Sequence, residues 1–324
     1  MAAPSLRENM SLKSLLSSLR AMDTVSLLAL LLLSLTNLLF SALVPRWALI
    51  VLLNVSLMVI VLVLISSARR SPSALLSFLR DWYPVPVTLI VFKELYLMVH
   101  PINPHDFDAV FIVIDRWIFG VDPTQWLEQW TTPILTEVMQ FCYSMFYFLF
   151  LIAAIEYYQK HRVEEFRYGM FVILYGFYLS YVFYFIFPAV GPRFTLHNFE
   201  TTNADLPGVF MTNALREFLN SAESIPHNAA NPVNFAQRDV FPSGHTQLTL
   251  VLIFLAYQSR LKSRHFILAV GVLLVISTVY LRYHYVIDVI AGIVFMLITI
   301  WTGPRLYRWW NRKREGWGMM VGRL

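Results

Sequence analysis

The sequence predicts an all-α, polytopic membrane protein: a helical bundle of about eight transmembrane helices with a six-helix catalytic core. Of 324 residues, 57% are hydrophobic and only 14% are charged, whereas soluble domains carry roughly 25% charged residues. The apolar residues come in long runs, and "TVSLLALLLLSLTNLLFSALV", Thr24 to Val44, holds no charge at all. At about 1.5 Å per residue that run makes about 31 Å of helix, enough to cross a hydrocarbon core of roughly 30 Å. The basic residues, finally, are sorted by side.

Apolar runs place spans at 24–44, 47–66, 83–100, 133–157, 167–188, 243–258, 266–283 and 285–304. The third carries Lys93 and Glu94 inside it, and the last two nearly run together. With the N-terminus in the cytoplasm, 18 of the 25 Lys and Arg fall on the inner side, beginning with Arg7, Lys13 and Arg20 and ending with Arg312, Lys313, Arg314 and Arg323. Every inner loop is basic, as the positive-inside rule expects. Both termini are therefore expected to be cytoplasmic. The first apolar run is too long for a signal peptide and lacks a small-residue cleavage site. The expected organisation is an N-terminal segment 1–82 with two extra spans, a catalytic core 83–304 and a basic cytoplasmic tail 305–324.

The single cysteine, Cys142, lies in an apolar run, so neither an internal disulfide nor a zinc–cysteine site is available. The net charge of +5 reads as a topology signal, and nucleic acid is not an expected partner. On the outer side, residues 101–132 mix acids with Trp117, Trp126 and Trp130, which suggests short helices lying in the interface. Residues 189–242 form a long polar loop.

The chemistry-bearing residues gather at the outer ends of spans: Lys93, His100, Arg193, His245, Arg282, His284 and Asp288. Singly, Lys93 and Arg282 read equally well as side chains snorkelling to the interface. Together on one face they point to a protein-lined site. Lys93 and His100 stand two helical turns apart, on one face. His284 and Asp288 stand four apart, so the carboxylate reaches one imidazole nitrogen and leaves the other free to attack or to take a proton. In "PSGH", Ser243 and Gly244 turn the chain into a helix whose first N–H groups lack intrahelical partners and suit an anion, and Ser243 is placed to cap it. Two histidines, one carboxylate and nearby cations imply phosphoryl transfer through a phosphohistidine.

"KELYLMVHP", "PSGH" and "HYVID" together resemble the three signature motifs of the type-2 phosphatidic acid phosphatase superfamily, across residues 83–304. The resemblance implies His284 as nucleophile, Asp288 as its orienting carboxylate and His245 as leaving-group acid. Lys93, Ser243 and Gly244 would bind the phosphate. His100 stands where the family has Arg, and Thr278 replaces the Arg six residues before His284. Arg282, two residues before the histidine, and "FPAVGPRF" (Phe187 to Phe194) are similar to the inositol-phosphorylceramide synthase and sphingomyelin synthase branch. Arg193 and Arg282 are the candidates for the missing phosphate-binding charge.

The implied partners are a membrane lipid substrate and, for a transferase, a hydroxyl-lipid or polyol acceptor. No cofactor and no metal are expected. "HDFD" (His105, Asp106, Asp108) offers carboxylates of a kind that is more often solvated or capping than metal-bound. A non-catalytic transporter of anionic lipid needs the cations but not a carboxylate-backed histidine with a second histidine beside it.

Overall fold

The computed structural model describes residues 16–227 and 229–321. Arg7, Lys13 and Arg323 of the topology count lie outside the described residues. Every regular element among the described residues is helical. The longer helices are α1 (Ala21–Leu39), α2 (Trp47–Arg70), α3 (Ala74–Trp82), α4 (Pro84–Ile102), α5 (Asp108–Phe119), α6 (Pro133–Ser144), α7 (Phe146–Gln159), α8 (Val163–Ile186), α9 (Thr212–Ala222), α10 (Gly244–Gln258), α11 (Arg264–Tyr280) and α12 (Val286–Val321).

Each expected span falls on helix, but the lengths differ from the expectation. Five helical stretches are long and apolar enough to cross a membrane, and α6 with α7, bent by 51°, makes a sixth. Helices α10 and α11 have only 15 and 17 residues, about 22 and 26 Å at the helical rise. Helix α10 begins at Gly244, one residue inside the expected span, with Ser243 as its N-cap. Helix α12 runs unbroken through Pro304 to Val321, so the basic tail continues the last span.

Helix α10 is the centre of the bundle, packed against α8, α11 and α12. Its inward residues Leu248, Val251, Leu252 and Leu255 are buried. Gln247 ties three helices together: its Nε2 donates to the Gly176 carbonyl at 2.9 Å and to Thr299 Oγ1 at 3.1 Å. Gly176 permits this close crossing, since a Cβ there would stand 3.1 Å from both Gln247 and Thr299. Helices α1 and α2 pack on each other and α1 on α4. Within that packing Asn54 donates to Glu94 at 2.9 Å and Asn37 to the Met98 sulfur at 3.0 Å.

At the basic end of the bundle, Asp81 accepts from Arg20 at 2.5 Å, Arg167 at 2.8 Å and Tyr158 at 3.0 Å. Asp23 accepts from Arg80 at 2.6 Å and Tyr83 at 2.8 Å. At the opposite end the 101–132 segment folds into α5 and two short helical turns, with Trp117, Trp126 and Trp130 all exposed. Asp108 and Asp115 of α5 anchor the loops that carry the site. Asp108 accepts the Val190 and Gly191 N–H groups and the Tyr285 hydroxyl. Asp115 accepts the first N–H groups of α12, from Val286 and Ile287, each at 2.8 Å. Asp108 of "HDFD" thus has a capping role.

Candidate active site

The second and third motifs are joined through their main chains. The N–H of Ser243 donates to the carbonyl of Asp288 at 3.0 Å. Gly292 makes room for this crossing, because a Cβ there would stand 2.8 Å from the Ser243 carbonyl oxygen. The Ser243 side chain caps α10 by accepting from the Thr246 N–H at 3.2 Å. The peptide before Pro242 is cis. His245 and His284 stand with ring centroids 5.9 Å apart.

Asp288 is fully buried, and its Oδ2 accepts the Tyr285 N–H at 2.8 Å. His284 Nδ1 lies 3.5 Å from that same oxygen, beyond a tight hydrogen bond. His284 Nδ1 and Asp288 Oδ1 are both buried without a hydrogen-bond partner. Burial, reinforced by the nearby His245 and Arg193, pushes the His284 imidazole well below its ordinary range. The neutral form is the nucleophilic one, so the burial favours attack. His245 packs between Tyr143, stacked at 4.8 Å, and Phe146 at 4.5 Å. Tyr143 stacks in turn on Tyr283 at 4.3 Å.

The four candidate cations are not equivalent. Arg193, 8% exposed, lies over the Tyr283 ring at 4.8 Å and the Phe194 ring at 4.7 Å and pairs with Glu223. Its backbone N–H donates to the Arg282 carbonyl at 3.0 Å. Gly191, at φ +94°, makes the turn, and a Cβ there would stand 2.8 Å from the Tyr283 carbonyl oxygen. The Lys93 ammonium donates to the Ala222 carbonyl and, at 3.1 Å, to Ser224 Oγ. His100 is exposed on the last turn of α4. Arg282, 2% exposed, sends its guanidinium to Asp205 at 2.9 Å and Glu128 at 3.0 Å. The structure therefore brings together His245, His284, Asp288, Ser243 and Arg193, while it commits Arg282 to outer loops.

Sequence reasoning missed Glu223, Asp239, Tyr143 and Tyr283. Burial, with the charge of Glu223 beside it, pushes the Asp239 carboxyl up to about 7. The only sequence signal for Asp239 was its place four residues before "SGH". The three others come from separate elements and carried no motif.

The PAP2 superfamily pattern matches residues 110–302, more than half of the chain. The chain belongs to the PAP2 superfamily. Comparison with curated proteins and with solved structures finds no match. Membership makes this PAP2 protein one of a superfamily of phosphoester hydrolases and transferases, of the lipid phosphatase or phosphotransferase type. The matched stretch contains the second and third motifs, while Lys93 and His100 precede it.

Proposed function

We propose that this protein is an integral membrane lipid phosphatase or phosphotransferase that works through a phosphohistidine on His284 without a metal. The observation that carries the reading is the carboxylate-backed, buried His284 facing His245 at 5.9 Å. His284 attacks phosphorus with the imidazole nitrogen turned away from Asp288, and the phosphorus–oxygen bond to the leaving alcohol breaks. His245 gives that oxygen its proton, then takes one from the incoming hydroxyl as the phosphohistidine is cleaved. Arg193, Lys93 and the first-turn N–H groups at Gly244 and His245 receive the charge on the phosphoryl oxygens.

A lipid substrate is favoured by an apolar cavity of about 630 Å³ between α4, α7 and α8, lined by Leu89, Phe92, Phe146, Phe150 and Phe177, with Lys93 also in its wall. Phe146 faces both this cavity and His245. Among the described residues no three His, Cys, Asp or Glu side chains gather as a metal site would need. We place the site on the periplasmic, extracellular or lumenal side, opposite the basic ends, with the termini in the cytoplasm.

The test is turnover of candidate phospholipids and lipid phosphates in detergent with EDTA, with and without ceramide or an inositol-bearing lipid. Phosphate release without an acceptor marks a phosphatase. Product formed only with the hydroxyl acceptor marks the inositol-phosphorylceramide or sphingomyelin synthase kind of reaction. His284→Ala should lower either by about a thousandfold or more and should lose acid-labile labelling of the protein by substrate phosphorus. Full turnover in that variant, or activity that requires an added metal, defeats the proposal.

A further inference from the structure

Arg193 and Lys93, the two cations assigned above to the phosphoryl oxygens, are both already engaged, and by one short segment. Ala222, Glu223 and Ser224 follow one another at the C-terminal end of α9. The Ala222 carbonyl and the Ser224 hydroxyl accept from Lys93, and the Glu223 carboxylate pairs with Arg193. Arg193 lies against Tyr283, Tyr283 against Tyr143, and Tyr143 against His245, so this contact reaches the histidine pair through a continuous ring stack. A carboxylate, a carbonyl at a helix C-terminus and a hydroxyl thus offer their oxygens to the groups that would hold phosphoryl oxygens.

Helix α9 is tethered at its other end. The Glu137 carboxylate of α6 accepts the N–H groups of Val209 at 2.8 Å, Phe210 at 3.2 Å and Met211 at 2.6 Å, and the Thr212 hydroxyl at 2.7 Å. Burial, and after it the charge of Glu223, keeps the proton on Asp239, so a carboxylate in this place adds to the crowding of a second one.

We propose that Glu223 sets the anion affinity of the site, in that it occupies Arg193 in place of phosphate and must be displaced by substrate. It rests on the phosphohistidine reading above. The displacement weakens every anion by the same factor. A free phosphate ion has only its charge to set against it, whereas a lipid phosphate also buries its chain in the cavity beside Lys93. Glu223 thereby excludes ambient phosphate, and it re-occupies Arg193 as product leaves.

The probe is inorganic phosphate, measured as binding to the His284→Ala protein by calorimetry and as product inhibition of the otherwise wild-type enzyme. Glu223→Gln removes a charge-assisted bond to Arg193 and should tighten phosphate by about tenfold or more. The KM for lipid phosphate should fall with it, while kcat does not rise. Glu223→Asp, which keeps the charge on a shorter stem, should fall between. In the Arg193→Ala background Glu223→Gln should have no effect. If phosphate binds and Arg193→Ala weakens it, yet Glu223→Gln leaves it unchanged or weaker, Glu223 is only a structural counter-charge and the inference is overturned. If phosphate binding ignores Arg193→Ala as well, the phosphate site itself is misplaced, and both readings fall together.

Discussion

Both ends of the bundle bury charge, and they treat it in opposite ways. At the basic end Arg20, Arg80 and Arg167 close on Asp23 and Asp81, and the two tyrosines Tyr83 and Tyr158 take up remaining oxygen valences. At the site end His284 Nδ1, Asp288 Oδ1 and the Arg282 Nε are buried with no partner. Arg193 and Lys93 are held by a loop segment. The basic end leaves Arg80 Nε without a partner but has its carboxylates fully engaged, and it is a fastener. A network with bonds withheld is poised to exchange its partners, and an unsatisfied buried polar atom is costly enough to need a reason.

The largest effect expected from breaking the comparison is at the fastener. Asp81→Asn leaves Arg20 and Arg167 facing each other without their shared anion, which should cost about 3–5 kcal/mol of stability. A thiol-reactive dye reads this directly, because Cys142 is the single cysteine and is buried. The apparent Tm should drop while kcat per folded molecule stays at the wild-type value. A change in kcat without a change in Tm would mean that the basic end takes part in turnover.

The next effect separates the two arginines that were candidates for the family's missing charge. Arg193→Ala should lower kcat/KM by about a hundredfold, the scale of one donor to a charged transition state, with a modest shift in Tm. Arg282→Ala should do the reverse, since its guanidinium is spent on Asp205 and Glu128. Equal kinetic losses in both would show that Arg282 turns inward when substrate binds.

The smallest is a pH effect. Asp239 has its folded-state pKa at about 7, raised from an unfolded value near 3.9. Its contribution to stability is therefore fully present below about pH 4 and is lost as pH rises through 7. The apparent Tm of wild type should fall between about pH 5 and 8 by more than that of Asp239→Asn. Identical pH profiles would mean that Asp239 is not held protonated.

Most of the fold was legible because lipid imposes a single demand, long apolar helix, and the basic loops record the side. Ser243, His245, His284 and Asp288 were legible because their spacing along the chain is their spacing in space, on the first turn of α10 and across the turn into α12. The short sixth span was legible, expected at 243–258 and found at Gly244–Gln258, whereas the end of α11 at Tyr280 was not, because an apolar run does not say where the chain turns into the site. Arg282 was expected at the phosphate from its distance to His284 in sequence, but its φ of +67° accompanies a guanidinium paired with residues 77 and 154 positions away. Glu223 sits in a polar loop with nothing around it in sequence to distinguish it from solvated acids.

The hydrogen bond from the Ser243 N–H to the Asp288 carbonyl has a consequence for how such an enzyme diversifies. The separation of the two imidazoles is set by main chain held against main chain, with Gly292 as the spacer. Asp108 and Asp115 brace the same turns from α5, through the Tyr285 hydroxyl and the first N–H groups of α12. The parts of 101–132 and 189–242 away from Asp108, Asp115, Arg193, Glu223 and Asp239 are then at liberty to change length and composition, and with them the headgroup admitted. The reaction centre behaves as a fixed socket, and the outer loops are the interchangeable part.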